Sequence, residues 1–327
     1  MKAAAKSGLE LPLVTIVQGQ FVLGRGLFAT GLIALGAAGC LFLLRARGAL
    51  AGTTLLARWN WTLAAILSVA GSEAYFAWAC DPADTRLSHW RFLAVTATFC
   101  PCMAVLGAKR PQDRAWQWIV ASLWLIVAWP ALEGLVYRPD LPLQLHWARQ
   151  AFLLVLLAIE GINVLGTRQS LSGLAWIAGQ ILLLGEHLPL IRNWFAPLVA
   201  GLGGGASGGT PTWQEWRPTL AVAMLLASVI LQGLIRPRPV VPGDRWQTAW
   251  LDFRDQFGTI WSLRIAERFN AAATLCDWNL RLGWRGPTAA DSAQSASLDD
   301  NLAARQSLLQ LLRRFVSPAW LAARGIE

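Results

Sequence analysis

The segment WIVASLWLIVAWPALEGLV, Trp118–Val136, decides the fold class, because its one ionisable residue is Glu133. A helix rising 1.5 Å per residue needs ~20 mostly apolar residues to cross ~30 Å of hydrocarbon. A helix that is apolar all round belongs in a membrane or a large core. Six more stretches of this kind flank it: Leu23–Leu44, Trp61–Ala79, Phe92–Leu106, Ala151–Leu165, Leu171–Ile191 and Thr219–Ile235. The reading is an all-α, polytopic integral membrane protein of about seven transmembrane helices with a short helical cytoplasmic tail. Composition points the same way. Charged residues make up 14% of the 327 and hydrophobic residues 55%, whereas a soluble domain carries about 25% charged residues.

The spans divide the chain into an N-terminal segment (1–22), a transmembrane bundle (23–235), an aromatic amphipathic region (236–286), a linker (287–300) and a last amphipathic helix (301–327). The segment before Leu23 is polar and no A-x-A site follows the first span, so a cleaved signal peptide is not expected. The net charge of +9 is read as topology determinants and anionic-lipid contacts rather than nucleic-acid binding. Arg45, Arg47, Arg58, Lys109, Arg110, Arg114, Arg168, Arg236, Arg238 and Arg245 fall on one side of the alternating spans. Lys2, Lys6, Arg86, Arg91, Arg138, Arg149, Arg192 and Arg217 fall on the other, partly offset by Asp81, Asp84, Asp140 and Glu215. The bias puts the N-terminus outside and the C-terminus in the cytoplasm of a bacterial inner membrane. Of the 19 Trp, those at span ends suit the headgroup layer. The run Gly201–Thr210 lacks the G-K-[ST] ending of a phosphate loop and reads as a flexible linker.

In the tail, Trp246, Trp250, Phe253, Phe257, Ile260 and Trp261 recur at helical spacing and give one aromatic face. Trp246, Trp250, Phe253, Phe257 and Trp261 are the expected partner-binding residues, for another membrane or cytoplasmic subunit. The alternative is that the tail helices pack back on the spans. NLRLGWRGP, residues 279–287, reads as an extended segment, and Leu308–Phe315 as the apolar face of a last helix.

Ionisable groups at membrane depth are expensive and mark a functional place or a buried pair. Glu73, Glu133, Glu160, Glu186, His187 and Arg25 form the candidate intramembrane polar cluster, with Asn163 one turn beyond Glu160 and on its face. Pro101, Pro130 and Pro189 free the carbonyls of Ala97, Ile126 and Gly185, which a membrane helix tolerates where they line a protected cavity. His89, His146 and His187 are the candidate ligands for a haem or metal. No CxxCH or HExxH accompanies them, so no cofactor is assigned and haem stays the alternative. Cys100 and Cys102 are separated by one residue, not by the two of a redox or zinc motif. No nucleophile–base order or nucleotide motif is present, so no catalytic residue is named. The expected function is the membrane component of a transport or assembly complex, with an outward polar cavity and a partner-binding tail. The alternatives are a structural subunit without chemistry and an enzyme acting on a lipid-linked substrate.

Overall fold

The computed structural model describes residues 30–79, 84–201, 213–235, 238–239, 245–290 and 298–326. The N-terminal segment 1–22, Arg25, Cys80 and Asp81, most of the glycine-rich run (202–210) and linker residues 291–297 lie outside these. The chain is mostly helical. Its helices are α1 (Thr30–Ala46), α2 (Leu56–Ala79), α3 (Arg86–Ala97), α4 (Cys100–Leu106), α5 (Asp113–Tyr137), α6 (Trp147–Val164), α7 (Ser170–Leu184), α8 (Pro189–Gly201) and α9 (Trp213–Leu234) in the bundle. The tail holds α10 (Arg245–Leu275), strands β1 (Leu280–Gly283) and β2 (Gly286–Ala289), α11 (Leu302–Leu312) and α12 (Pro318–Ala322).

Four helical runs are long and apolar enough to cross a membrane: Arg86–Leu106, Asp113–Tyr137, Trp147–Val164 and Arg217–Leu234. Two shorter apolar helices, Thr30–Ala46 and Ser170–Leu184, accompany them. Large apolar side chains stand exposed along these helices. Trp118 is 78% exposed, Ile126 63% and Ile162 57%. Water would penalise so extensive an apolar surface, whereas hydrocarbon would not.

Four of the seven expected spans coincide with these long apolar runs, and two of the seven are interrupted. The third, Phe92–Leu106, is a broken helix: α3 stops at Ala97, and α4 restarts at Cys100 with Pro101 in its first turn, where a missing N–H is harmless. The freed carbonyl that matters is that of Thr98, not of Ala97; it accepts from Trp176 Nε1 (3.3 Å) and Gln180 Nε2 (3.1 Å) of α7. The sixth, Leu171–Ile191, is two helices. α7 ends at Leu184 and Pro189 opens α8, with the Leu184 carbonyl taking both His187 N–H (2.8 Å) and Leu188 N–H (2.9 Å). Pro130, by contrast, is carried inside an unbroken α5.

Helix α7 packs along α9 through small residues. A Cβ on Gly179 would come within 2.8 Å of Leu225 and 3.0 Å of the Ala221 carbonyl, so only glycine lets these backbones approach so closely. The Ser172 hydroxyl continues the seam by donating to the Ser228 carbonyl at 2.9 Å.

The tail has its own core. Phe253 and Phe257 stack at 4.6 Å, and Phe315 meets Phe253, Phe257 and Trp261 edge-on at 5.4, 5.3 and 4.8 Å. Leu308 and Leu312 of α11 are fully buried among them. The aromatic face expected to dock a partner is, in the structure, covered from within the chain. Trp246, Trp250, Phe253 and Phe257 are each at most 5% exposed, because α11 and the β1–β2 hairpin supply from within the chain the cover that an amphipathic face requires. Trp261 keeps a half-buried edge and donates its indole N–H to the Val105 carbonyl at 2.8 Å. The antiparallel hairpin pairs Leu280 with Ala289 and Gly283 with Gly286; with the isolated bridge Thr53–Val316 it departs from an all-α chain.

The tail is bolted to one end of the bundle. Thr54 N–H donates to Phe315 O (3.0 Å), Ser317 N–H to Gly52 O (2.6 Å) and Arg110 N–H to Arg314 O (2.7 Å). Thr259 Oγ1 donates to Leu165 O at 2.8 Å, and Arg168 N–H to Asp255 at 3.1 Å. The turns after α1, α4 and α6 therefore all meet the tail, as up-and-down helices require. The opposite end gathers the other turns, where Thr85 Oγ1 donates to Pro139 O at 2.7 Å and Leu143 N–H to Ser88 Oγ at 3.4 Å.

Candidate functional site

Two polar clusters occupy opposite ends of the bundle interior. At the end away from the tail, Glu73 of α2 is 5% exposed and accepts a two-pronged bond from Arg91 of α3, at 2.9 Å (Nε) and 3.1 Å (Nη2). A forked guanidinium–carboxylate pair of this kind fixes orientation as well as charge. Arg91 also reaches Glu186 at 3.5 Å, and Arg217 of α9 closes the chain on Glu186 at 3.0 Å. Two carboxylates and two guanidinia thus alternate across α2, α3, the α7–α8 turn and α9. Beside them His187 is buried, edge-on to Phe92 at 5.1 Å, and its Nε2 has no hydrogen-bond partner within the protein.

The second cluster lies at the tail end, between α2, α4, α6, α7 and α9. A cavity of about 30 Å³ is lined by Arg58, Thr62, Glu160, Gln169, Ser172 and Gln232, among others. That volume suffices for ordered water. Glu160 is 7% exposed and faces Gln180 and Arg58. Glu160 Oε2 and Gln180 Oε1 have no hydrogen-bond partner within the protein, and such buried groups are costly unless something satisfies them.

The six residues expected to cluster do not form one site. Glu73 and Glu186 join the first network with His187 next to it, Glu160 belongs to the cavity at the other end, and Glu133 stands exposed on α5. Arg25 lies outside the described residues. The partners that complete the network, Arg91 and Arg217, were missed because an arginine one or two residues outside an apolar stretch has the same sequence signature as a topology determinant. Asn163 has a different role from its neighbour on the helix face: its side-chain oxygen accepts the Ile260 N–H at 3.2 Å and ties α10 to α6.

The three histidines have separate surroundings. His89 is 2% exposed, with Nδ1 3.3 Å from the Thr85 carbonyl. Its ring lies against Gly134, where a Cβ would overlap it. His146 is exposed and caps α6, accepting from Ala148 N–H at 3.4 Å. Among the described residues no three His, Cys, Asp or Glu side chains converge. Cys40, Cys100, Cys102 and Cys276 are free thiols. Set beside known proteins, the chain matches no family model, no curated protein and no solved structure.

Proposed function

We propose that the chain is a seven-pass membrane protein of a transport system, with a closed polar gate at one end and a polar site at the other. Helices α1, α2, α3–α4, α5, α6, α7 and α9 are its passes, α8 lies at the outer end, and the tail caps the inner end. The Glu73–Arg91–Glu186–Arg217 network is the gate, and the Arg58–Glu160 cavity is the site that it isolates. The observation carrying this reading is the cavity, whose wall includes Glu160, a buried carboxylate with one oxygen that lacks a protein partner. In this conformation the cavity is water-sized, and transport requires it to open transiently to the tail side.

The same reading puts the tail in the cytoplasm of a bacterial inner membrane. Of the arginines on the opposite side, Arg91 and Arg217 are neutralised by Glu73 and Glu186, which leaves the uncompensated positive charge concentrated on the tail side. Membership of a larger complex belongs to the proposal and would show in the proteins that copurify.

A static subunit is the second reading, favoured by the charge balance of the gate network. Thiol labelling separates the two. In a background with the native cysteines replaced, Ser228→Cys is placed in the cavity wall and challenged with an impermeant reagent from each face of oriented vesicles. The transport reading expects labelling from the tail side alone, and from both sides once Glu186→Gln loosens the network. Labelling from neither side in both backgrounds would leave the static subunit.

A further inference from the structure

A second recess lies outside the bundle interior, where the tail meets the turn between α4 and α5. Its volume is about 230 Å³, below the ~300–1,000 Å³ of sites that enclose a drug-sized ligand. Lys109 comes from that turn, Arg264 and Arg268 from successive turns of α10, and Arg314 from just beyond α11. No carboxylate lines it, and among the described residues none of these four cations is in an ion pair. Glu267, the acid nearest in sequence on α10, is exposed and is not part of the wall.

Topology does not explain the convergence. Arg264, Arg268 and Arg314 lie far along the chain from the last apolar helix, and only the tail fold brings them to Lys109. Four like charges around one recess repel one another, and no protein anion answers them. Apart from Gln112, the rest of the wall is aromatic and apolar. Trp261 carries the Arg264 guanidinium at 6.0 Å from its ring centre, and Phe315 and Ile265 are buried.

We infer that this recess binds a phosphate group, its oxyanions held by Lys109, Arg264, Arg268 and Arg314. Guanidinium forks match phosphate geometry, and the small volume suits a headgroup or a simple phosphate ester rather than a nucleotide. The α4–α5 turn joins two apolar helices, which sets the recess at headgroup depth if those helices cross the membrane. An anionic phospholipid and free phosphate are then the two sources of one ligand chemistry.

The full chain is reconstituted in nanodiscs of phosphatidylcholine with a minor share of phosphatidylglycerol, and retained lipid is measured by native mass spectrometry after extraction. Inorganic phosphate binding is measured in parallel by calorimetry in detergent. The double variant Arg264→Gln, Arg268→Gln removes two exposed cations without disturbing a buried contact, and Arg281→Gln, on the hairpin, controls for net charge. Phosphatidylglycerol retained by the parent and the control, and weakened on the order of thirty-fold in the double variant, assigns the site to lipid. Phosphate binding lost in the double variant, with lipid retention unchanged, assigns it to a soluble phosphate. If the double variant equals the control in both measurements, the inference is wrong, whatever becomes of the gate.

Discussion

At the scale of single residues, the Glu73–Arg91 pair shows how buried charge is tolerated here. Taking two ions out of water costs several kcal/mol each, and their attraction offsets this only when geometry and additional bonds are good. Arg91 meets that condition through two bonds to Glu73, a third contact with Glu186, and the Phe76 ring at 5.8 Å from its guanidinium. Glu73→Ala should therefore destabilise the detergent-solubilised protein by up to about 3–5 kcal/mol, since it removes the forked partner of Arg91 and leaves it the 3.5 Å contact with Glu186. The double change Glu73→Leu, Arg91→Met should recover much of that loss, as read by thermal melting. A single variant as stable as its parent would mean that the pair is hydrated and contributes little. The acidic half of this network was legible in the sequence, because a glutamate inside an apolar run stands out. The basic half was not, because Arg91 and Arg217 sit where any membrane helix places an arginine.

At the scale of elements, apolar length located the helices well but did not locate their breaks. Pro101 and Pro189 announced interruptions, yet whether a proline opens a new helix or rides within one, as Pro130 does, depends on what meets the neighbouring carbonyls. For Thr98 the answer is a tryptophan and a glutamine on α7, far away in sequence. The long pattern of α10 hid a further break. Gly258 has φ +84° and ψ −177°, a backbone region essentially restricted to glycine, and a Cβ there would run into the Asn163 side chain. The kink presents the Ile260 N–H to Asn163 Oδ1, so glycine and asparagine form one joint between tail and bundle. Gly258→Ala should cost roughly 1–3 kcal/mol and speed proteolysis within α10. Asn163→Ala should cost about 1 kcal/mol for the lost bond and should soften the effect of Gly258→Ala, with a coupling of at least ~0.5 kcal/mol. Strict additivity would show that the joint is not shared.

At the scale of the whole molecule, the tail is a cap on the bundle with an internal core of its own. The aromatic spacing announced that the α10 face would be covered, but a sequence does not say by whom; α11 lies beyond a polar linker, and its pairing with Phe253 and Phe257 is a long-range event. Phe257→Ala should cost about 3–5 kcal/mol and release the tail to protease while α5 and α6 stay protected, because that ring is fully buried in the cluster by which the tail packs on itself and on Leu55, Val105 and Ala108. Acid should act on the same cap through two aspartates with opposite signs. Burial pulls Asp299 upward, but hydrogen bonds from Arg245 and Trp246, with the charges of Arg245 and Arg305, outweigh it and hold the carboxyl below its ordinary 3.8. Its contribution to stability is therefore present above that value and is lost as pH falls through the folded-state pKa. At Asp252 burial prevails over the attraction of Arg324 and Arg238, with Asp255 adding repulsion, and the carboxyl is raised. Its contribution is fully present below the ordinary 3.8 and is lost as pH rises through the folded-state value. Partial exposure of Asp299 and Arg245 keeps their contribution modest. Protease resistance of the tail, followed over roughly pH 5 to pH 3, should fall more steeply in Asp252→Asn than in the parent, because the opposing group is gone. It should fall less steeply in Asp299→Asn. Identical slopes in all three proteins would show that neither carboxyl changes its proton affinity when the tail folds onto the bundle.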